Sequence, residues 1–294
     1  MIAASRYSPV RTTTAGRVTV ELADDHPGFT DPAYRAHRDE LAELAARWRP
    51  GDPLPEPAYT DEEHSVWAAV SEALDGLHDQ HACSAFLTGK EALRLPSDRV
   101  PQLSEVGQRL EPLAGYRYLP VAGLAPLREF YGSFASGVFY STQYLRHPSA
   151  PLYTPEPDVI HEVIGHANQI AAPGYADVYR MVGEAVGRTE SEAGLRFLSH
   201  VFWYTMEFGV VWEGRELKAF GAGILSSVGE TASFGIDADV RPVDFLAMGQ
   251  GDYDITHFQP VLYSWPSPAA LEDGLASFFS SFDDSTPGSL RRAG

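Results

Sequence analysis

Cysteine is almost missing: Cys83 stands alone in 294 residues. One thiol excludes an intrachain disulfide and any cage of several thiolates around a metal. A reducing compartment fits that usage, and the cytoplasm is the expected location. No run of about 18 uncharged apolar residues occurs, so the sequence offers no membrane-spanning helix. The opening MIAASRYSPVRTTTAGR lacks the apolar stretch of an export signal. Positive charge is scarce: 22 Lys and Arg face 40 Asp and Glu, a formal net charge of −18. Such a surface repels phosphate backbones and anionic headgroups, so nucleic acid and membranes are excluded as expected partners. Internal repeats, heptads and low-complexity linkers are absent too.

What the chain does have is core. Hydrophobic residues make up 44% of it, enough for one large domain. Helix signals dominate. Asp31-Pro32 reads as cap and first helical residue. Thr60 and Glu63 make a capping box, opening a helix with Val66, Trp67, Val70 and Leu74 on one face. Pro101 and Pro126 are expected to start two more helices. Residues 137–153 read as extended. Helical patterns return near 155–170, 174–188 and 190–212. LKAFGAGILSS (217–227) reads as strand and loop, Pro242 as the start of a short helix, and Ser267-Pro268 as the start of the last one. Residues 1–17 are expected to be a flexible leader and 284–294 a flexible tail. Between them, 18–283 reads as one mainly α domain with a few short strands.

The stretch PDVIHEVIGHANQI (157–170) nearly spells the zinc-protease motif HExxH, but His161 and His166 are five apart, not four. On an α-helix five residues turn about 140°, which splays the two rings. A π-bulge closes i to i+5 and would bring them together. Gly165 weakens the helix enough to permit it. Thr154 is expected to cap this helix, with Pro155, Glu156 and Asp158 in its first turn. The plain alternative is a pair of ordinary histidines. Against it stands Glu207, the one acid in the apolar helix SHVFWYTMEFGV (199–210), costly there unless paired or metal-bound. Two His and one carboxylate suit a non-haem Fe(II) oxygenase. They also suit a zinc hydrolase with Glu162 as base. The residue set alone leaves both open.

Longer stretches carry a resemblance: ADDHPGFTDPAYRAHR (23–38), PQLSEV (101–106), PVAGL (120–124), TQYLRH (142–147), YTPEPDVIHEVIGH (153–166), WYTMEFG (203–209) and KAFGAGILSSVGE (218–230). In this order they resemble the catalytic domain of the pterin-dependent aromatic amino acid hydroxylases, phenylalanine hydroxylase above all. The resemblance implies a helical basket around one iron, with His161, His166 and Glu207 as ligands. It implies Fe(II), a tetrahydropterin and O2. The pterin would lie along Gly123, Leu124 and Ala125, stacked on Phe130, with Glu162 facing it. The amino acid carboxylate would pair with Arg146, a fork that Asp158 orients. Thr154 and Ser226 would bond the polar end, and Pro157, Trp203, Phe208 and Gly223 would line the ring pocket. Matching sequence begins near residue 20, which implies the catalytic domain alone, acting as a monomer.

The same resemblance weighs the substrate. Tryptophan hydroxylases have a smaller aromatic where Trp203 stands, so Trp203 favours phenylalanine. Tyrosine hydroxylases carry an aspartate where Ile255 stands. Relatives that hydroxylate the meta carbon differ at the positions of Phe208 and Gly223, which here match the para-acting kind. Phenylalanine to tyrosine is therefore the expected reaction. A phenylalanine 3-hydroxylase and a tryptophan or tyrosine hydroxylase are the alternatives within the family.

Overall fold

Helix starts fall where side chains can cap them. Asp31 accepts from the amides of Ala33 and Tyr34, with Pro32 at the first position of α1 (Pro32–Arg47). Thr60 and Glu63 form the reciprocal capping box of α2 (Asp61–His81). The computed structural model describes residues 8–14, 16–254 and 257–293. In chain order there follow α3 (Ser84–Leu93), α4 (Leu103–Ala114), β3 (Arg117–Pro120), α5 (Leu127–Ser133) and β4 (Val138–Ser141), after the strands β1 (Val10–Thr12) and β2 (Val18–Val20) at the start. The second half holds α6 (Asn168–Ala171), α7 (Tyr175–Arg188), α8 (Glu192–Phe202), β5 (Val210–Glu213), β6 (Glu216–Ala219) and α9 (Ala222–Leu225). It closes with α10 (Val228–Asp237), β7 (Asp239–Pro242), α11 (Phe245–Gln250), β8 (Val261–Trp265), α12 (Pro268–Ser281) and α13 (Thr286–Ala293).

The fold is mainly helical, as expected. One core joins Trp67, Val70 and Leu74 of α2 to Phe86, Val106, Tyr118, Phe139, Val163, Tyr179, Val182 and Phe202. A smaller cluster packs Val20, Leu22 and Ala42 against Val10, Tyr34 and Ala122. Among the described residues, strands pair in three small sheets: β1–β2, parallel β3–β4, and a four-stranded sheet in the order β6-β5-β8-β7. Pairing β3 with β4 sets the loop after Pro120 beside the segment after Ser141, where Val121 N–H donates to the Ser141 carbonyl (3.0 Å).

Several boundaries differ from the sequence reading. Part of the expected leader is a hairpin, with Val10 opposite Val20; residues 1–7 lie outside the described residues. The tail is helical over Thr286–Ala293. Pro242 ends a strand, and the short helix begins only at Phe245. Residues 153–158 are not helical; the helix begins at Val159. Thr154 bonds the Glu156 carbonyl instead of capping (2.6 Å). Glu156 turns inward to Arg38 (2.8 Å), which removes it from any first turn. Asp158 caps in place of Thr154, accepting from His161 N–H (3.2 Å).

Candidate metal centre and active-site cleft

Two helical segments among the described residues close i to i+5, and both carry candidate ligands. His161–Ala167 and Trp203–Glu207 are π-helical. Phe208 N–H donates to the carbonyl of Trp203, five residues back (2.9 Å). The i to i+5 closure puts His161 and His166 on one face. Gly165 matters through contact: a Cβ there would lie 2.7 Å from the Ala222 carbonyl oxygen. Glycine lets α9 pack directly on the π turn.

The two Nε2 atoms lie 3.0 Å apart. Glu207 Oε1 is 3.1 Å from His166 Nε2, and Oε2 is 3.7 Å from His161 Nε2. The far sides of both rings are held. His161 Nδ1 is 3.0 Å from Ser226 Oγ, whose hydroxyl donates to the Gly223 carbonyl and so accepts from the ring. His166 Nδ1 is 2.7 Å from the Tyr179 hydroxyl. Burial pushes His161 down to about 4, so it is neutral, as a metal ligand must be. Two imidazole lone pairs facing each other repel unless a cation lies between them. Glu207 Oε2 is buried without a hydrogen-bond partner among the described residues. One divalent ion satisfies all three groups, since two bonds of about 2.1 Å at a right angle span about 3 Å.

Glu162 competes for the role of third ligand. It offers an oxygen within 4.8 Å of both imidazoles. Glu207 lies closer and holds the unpartnered oxygen. Burial, with Glu207 and Asp158 nearby, pushes the Glu162 carboxyl well above its ordinary range. Burial pushes Glu207 upward too, but the imidazoles of His166 and His161 beside it outweigh burial and hold that carboxyl below its ordinary value. Glu207 is thus the charged partner.

A cleft opens beside these groups. Arg146, Thr154, Pro157, Trp203, Phe208, Gly223 and Ser226 all line it, with His161 and Glu207 in its wall. Asp158, also expected at the substrate, sits behind the cleft and is fully buried. It holds Arg146 by Nε (2.9 Å), Nη2 (3.0 Å) and the main-chain N–H (2.9 Å). Beyond that fork, Nη1 meets only the Pro151 carbonyl, at 3.5 Å, among the described residues. At the apolar end, Trp203 stacks on Tyr253 (centroids 4.2 Å) and meets Phe208 at 4.5 Å. A Cβ on Gly223 would lie 2.6 Å from Phe208 Cζ, so these two positions constrain each other. Ile255 lies outside the described residues.

The expected pterin residues are arranged differently. Gly123, Leu124, Ala125, Phe130 and Glu162 do not line the cleft. The first three follow β3 in a loop where Leu124 is exposed. Phe130 packs edge-on against Phe139 (5.4 Å), which lies 4.9 Å from the His166 ring. Phe130 therefore reaches the metal centre through one intervening ring.

Sequence reasoning missed Tyr179, Tyr253, Gln259 and Glu230. Gln259 accepts from the Trp203 indole (3.1 Å), and its own N–H donates to Glu230 (2.9 Å). Burial pushes Glu230, another cleft residue, up to about 7. Glu230 ends the stretch 218–230 but was given no role there, and the other three stand in no patterned motif. Only the polar Gln259 among apolar neighbours gave a signal.

Residues 11–285 match the family described as biopterin-dependent aromatic amino acid hydroxylase. The chain is 42% identical to the phenylalanine 3-hydroxylase of Streptomyces coeruleorubidus, over 90% of this chain and 95% of that protein. It is 48% identical to a chloroplastic phenylalanine 4-monooxygenase of Chlamydomonas reinhardtii, over 72% of this chain but 58% of the longer relative. Among solved structures it is similar to Chromobacterium violaceum phenylalanine hydroxylase with bound iron(III) and 7,8-dihydrobiopterin. That match has a TM-score of 0.71 and 30% identity, covering 76% of this chain and 83% of the other. The zinc-hydrolase alternative falls with these matches: the chain belongs to the biopterin-dependent aromatic amino acid hydroxylases.

Proposed function

We propose that the chain hydroxylates free L-phenylalanine at the para carbon, giving tyrosine, with His161, His166 and Glu207 holding Fe(II). The observation that carries this reading is the convergence of three ligand groups, one a buried carboxylate whose Oε2 has no hydrogen-bond partner among the described residues, in the wall of an amino-acid-sized cleft. Iron and tetrahydropterin, when bound, supply the activation of O2. The protein positions and shields. Arg146, locked by Asp158, receives the substrate carboxylate. Thr154 and Ser226 flank that polar end. Trp203, Phe208 and Pro157 clamp the ring, and Trp203 is fixed by Gln259. Gly123, Leu124, Ala125, Phe130 and Glu162 serve the pterin. Phe130 offers the stacking face, and Glu162, its carboxyl pushed well above the ordinary range by burial, faces the pterin.

The para assignment rests on the interlocked pair Phe208 and Gly223. With glycine at 223 the phenyl ring of Phe208 fills the space beside the substrate ring; a side chain at 223 would evict it. The meta product is the second reading, favoured by the Streptomyces 3-hydroxylase, which the chain matches over nearly its whole length. Residues 18–283 act as the catalytic unit, in the cytoplasm, as a monomer without nucleic acid or membrane partners. The acidic composition and the single, buried Cys83 support that setting.

Product analysis decides the regiochemistry. Purified protein with Fe(II), a tetrahydropterin and O2 is offered Phe, Tyr or Trp separately. Para-tyrosine from Phe is expected as the main product. Meta-tyrosine in excess would establish the second reading, and faster turnover of Trp or Tyr would overturn the substrate assignment.

A further inference from the structure

Gln169 is fully buried at the start of α6, and every polar atom of its side chain is engaged. Its amide nitrogen donates to two main-chain carbonyls, those of Met206 (2.9 Å) and Phe220 (2.6 Å). Carbonyls only accept, so the amide cannot flip, and its oxygen must face the other way. There it accepts the proton of the Tyr179 hydroxyl. A phenol has one proton. With that proton committed to Gln169, Tyr179 turns only a lone pair toward its other neighbour, His166 Nδ1, 2.7 Å away. A ring nitrogen facing an acceptor carries the ring proton. An imidazole that binds a metal is neutral and has one N–H, so with Nδ1 protonated Nε2 presents its lone pair, and Nε2 is the atom beside Glu207 and His161.

We infer that Gln169 is a positioning residue for the metal centre, fixing the tautomer of His166 through Tyr179. It also ties the two ligand-bearing π segments together, because Met206 directly precedes Glu207. The inference rests on the ligand set proposed above. Without the Gln169 oxygen, the Tyr179 proton is free to turn toward Nδ1. The ring proton then resides on Nε2, where it blocks a metal. Glu207 Oε1, 3.1 Å from Nε2, would accept a proton there, so the Gln169 amide is what opposes that arrangement.

The test reads the tautomer itself, in metal-free protein labelled with nitrogen-15 in its histidine rings. Long-range proton–nitrogen spectra distinguish Nδ1–H from Nε2–H. Wild type is expected to show His166 as Nδ1–H. Gln169→Leu should populate Nε2–H and weaken Fe(II) binding about 10–100-fold. Gln169→Glu keeps an oxygen for the Tyr179 proton, so His166 should stay Nδ1–H even though the two carbonyls lose partners and the melting temperature falls. Tyr179→Phe, should Gln169→Leu fold poorly, removes the acceptor and is expected to release the tautomer likewise. A Gln169→Leu protein that melts lower but keeps His166 as Nδ1–H and binds Fe(II) within twofold of wild type would show a packing role and overturn the inference. Failure of the ligand set looks different: His166→Ala would then bind Fe(II) as well as wild type, while the effect of Gln169 on the tautomer persisted.

Discussion

Glu207 Oε2 has no hydrogen-bond partner among the described residues, and the two Nε2 atoms beside it face each other at 3.0 Å. Both features cost stability in the metal-free chain and are relieved by one cation. His161→Ala and Glu207→Ala are therefore expected to abolish Fe(II) binding and hydroxylation while the metal-free protein keeps its circular dichroism and its melting temperature, or gains a little. Iron bound tightly by either variant in a competition titration would contradict the ligand set. These residues were legible because they break local rules: a histidine pair at the wrong spacing, and one acid in an apolar helix. Asp158 was legible as the holder of Arg146 only through the family resemblance. Gln169 and Tyr179 were not legible at all. Their meaning lies in the direction of hydrogen bonds between residues ten apart on two elements, which no spacing encodes.

At the scale of elements, the π turns do the positioning. The sequence predicted a distortion near Gly165, and the structure has a π-helix over His161–Ala167. The reason offered for the glycine was only half of it. Its missing Cβ makes room for the Ala222 carbonyl, which brings Ser226, one short helix on, within reach of His161. Gly165→Ala is expected to cost roughly 1–3 kcal/mol. At about 2–4 °C per kcal/mol for a chain of this size, calorimetry should record a clear drop, with weaker Fe(II) binding beside it. An unchanged melting curve would remove Gly165 from the account of the site. The helix start was misread at Thr154 because cap signals were plentiful there. Glu156 was recruited by Arg38, a long-range partner that outbid local capping, while Asp158 took over the cap and holds Arg146 as well.

Across the whole molecule, the helical class was legible from caps and periodicity, but the sheets were not. β5, β8 and β7 pair side by side although Val210 of β5 and its partner Ser264 of β8 are 54 residues apart, and each is short enough to pass for loop. Acid sensitivity also belongs to this scale. His78, buried in the core, donates from Nε2 to the Leu225 carbonyl (2.7 Å). Burial, helped by Lys90, pushes its imidazole down to about 4. The unfolded chain takes that proton near 6.5. Below this value the unfolded state binds more protons, so the stability His78 permits is complete above about pH 6.5 and falls as the pH drops toward about 4. His78→Gln, which keeps a donor, should flatten the fall of melting temperature across that window; parallel curves for the two proteins would exclude His78 as its source. The assignment of the whole chain meets its most direct test in one comparison, turnover of L-phenylalanine by Fe(II)-loaded and Zn(II)-loaded protein, each with and without a tetrahydropterin. Tyrosine should form only with Fe(II) and pterin together. Turnover with zinc, or with iron at full rate without pterin, would contradict it.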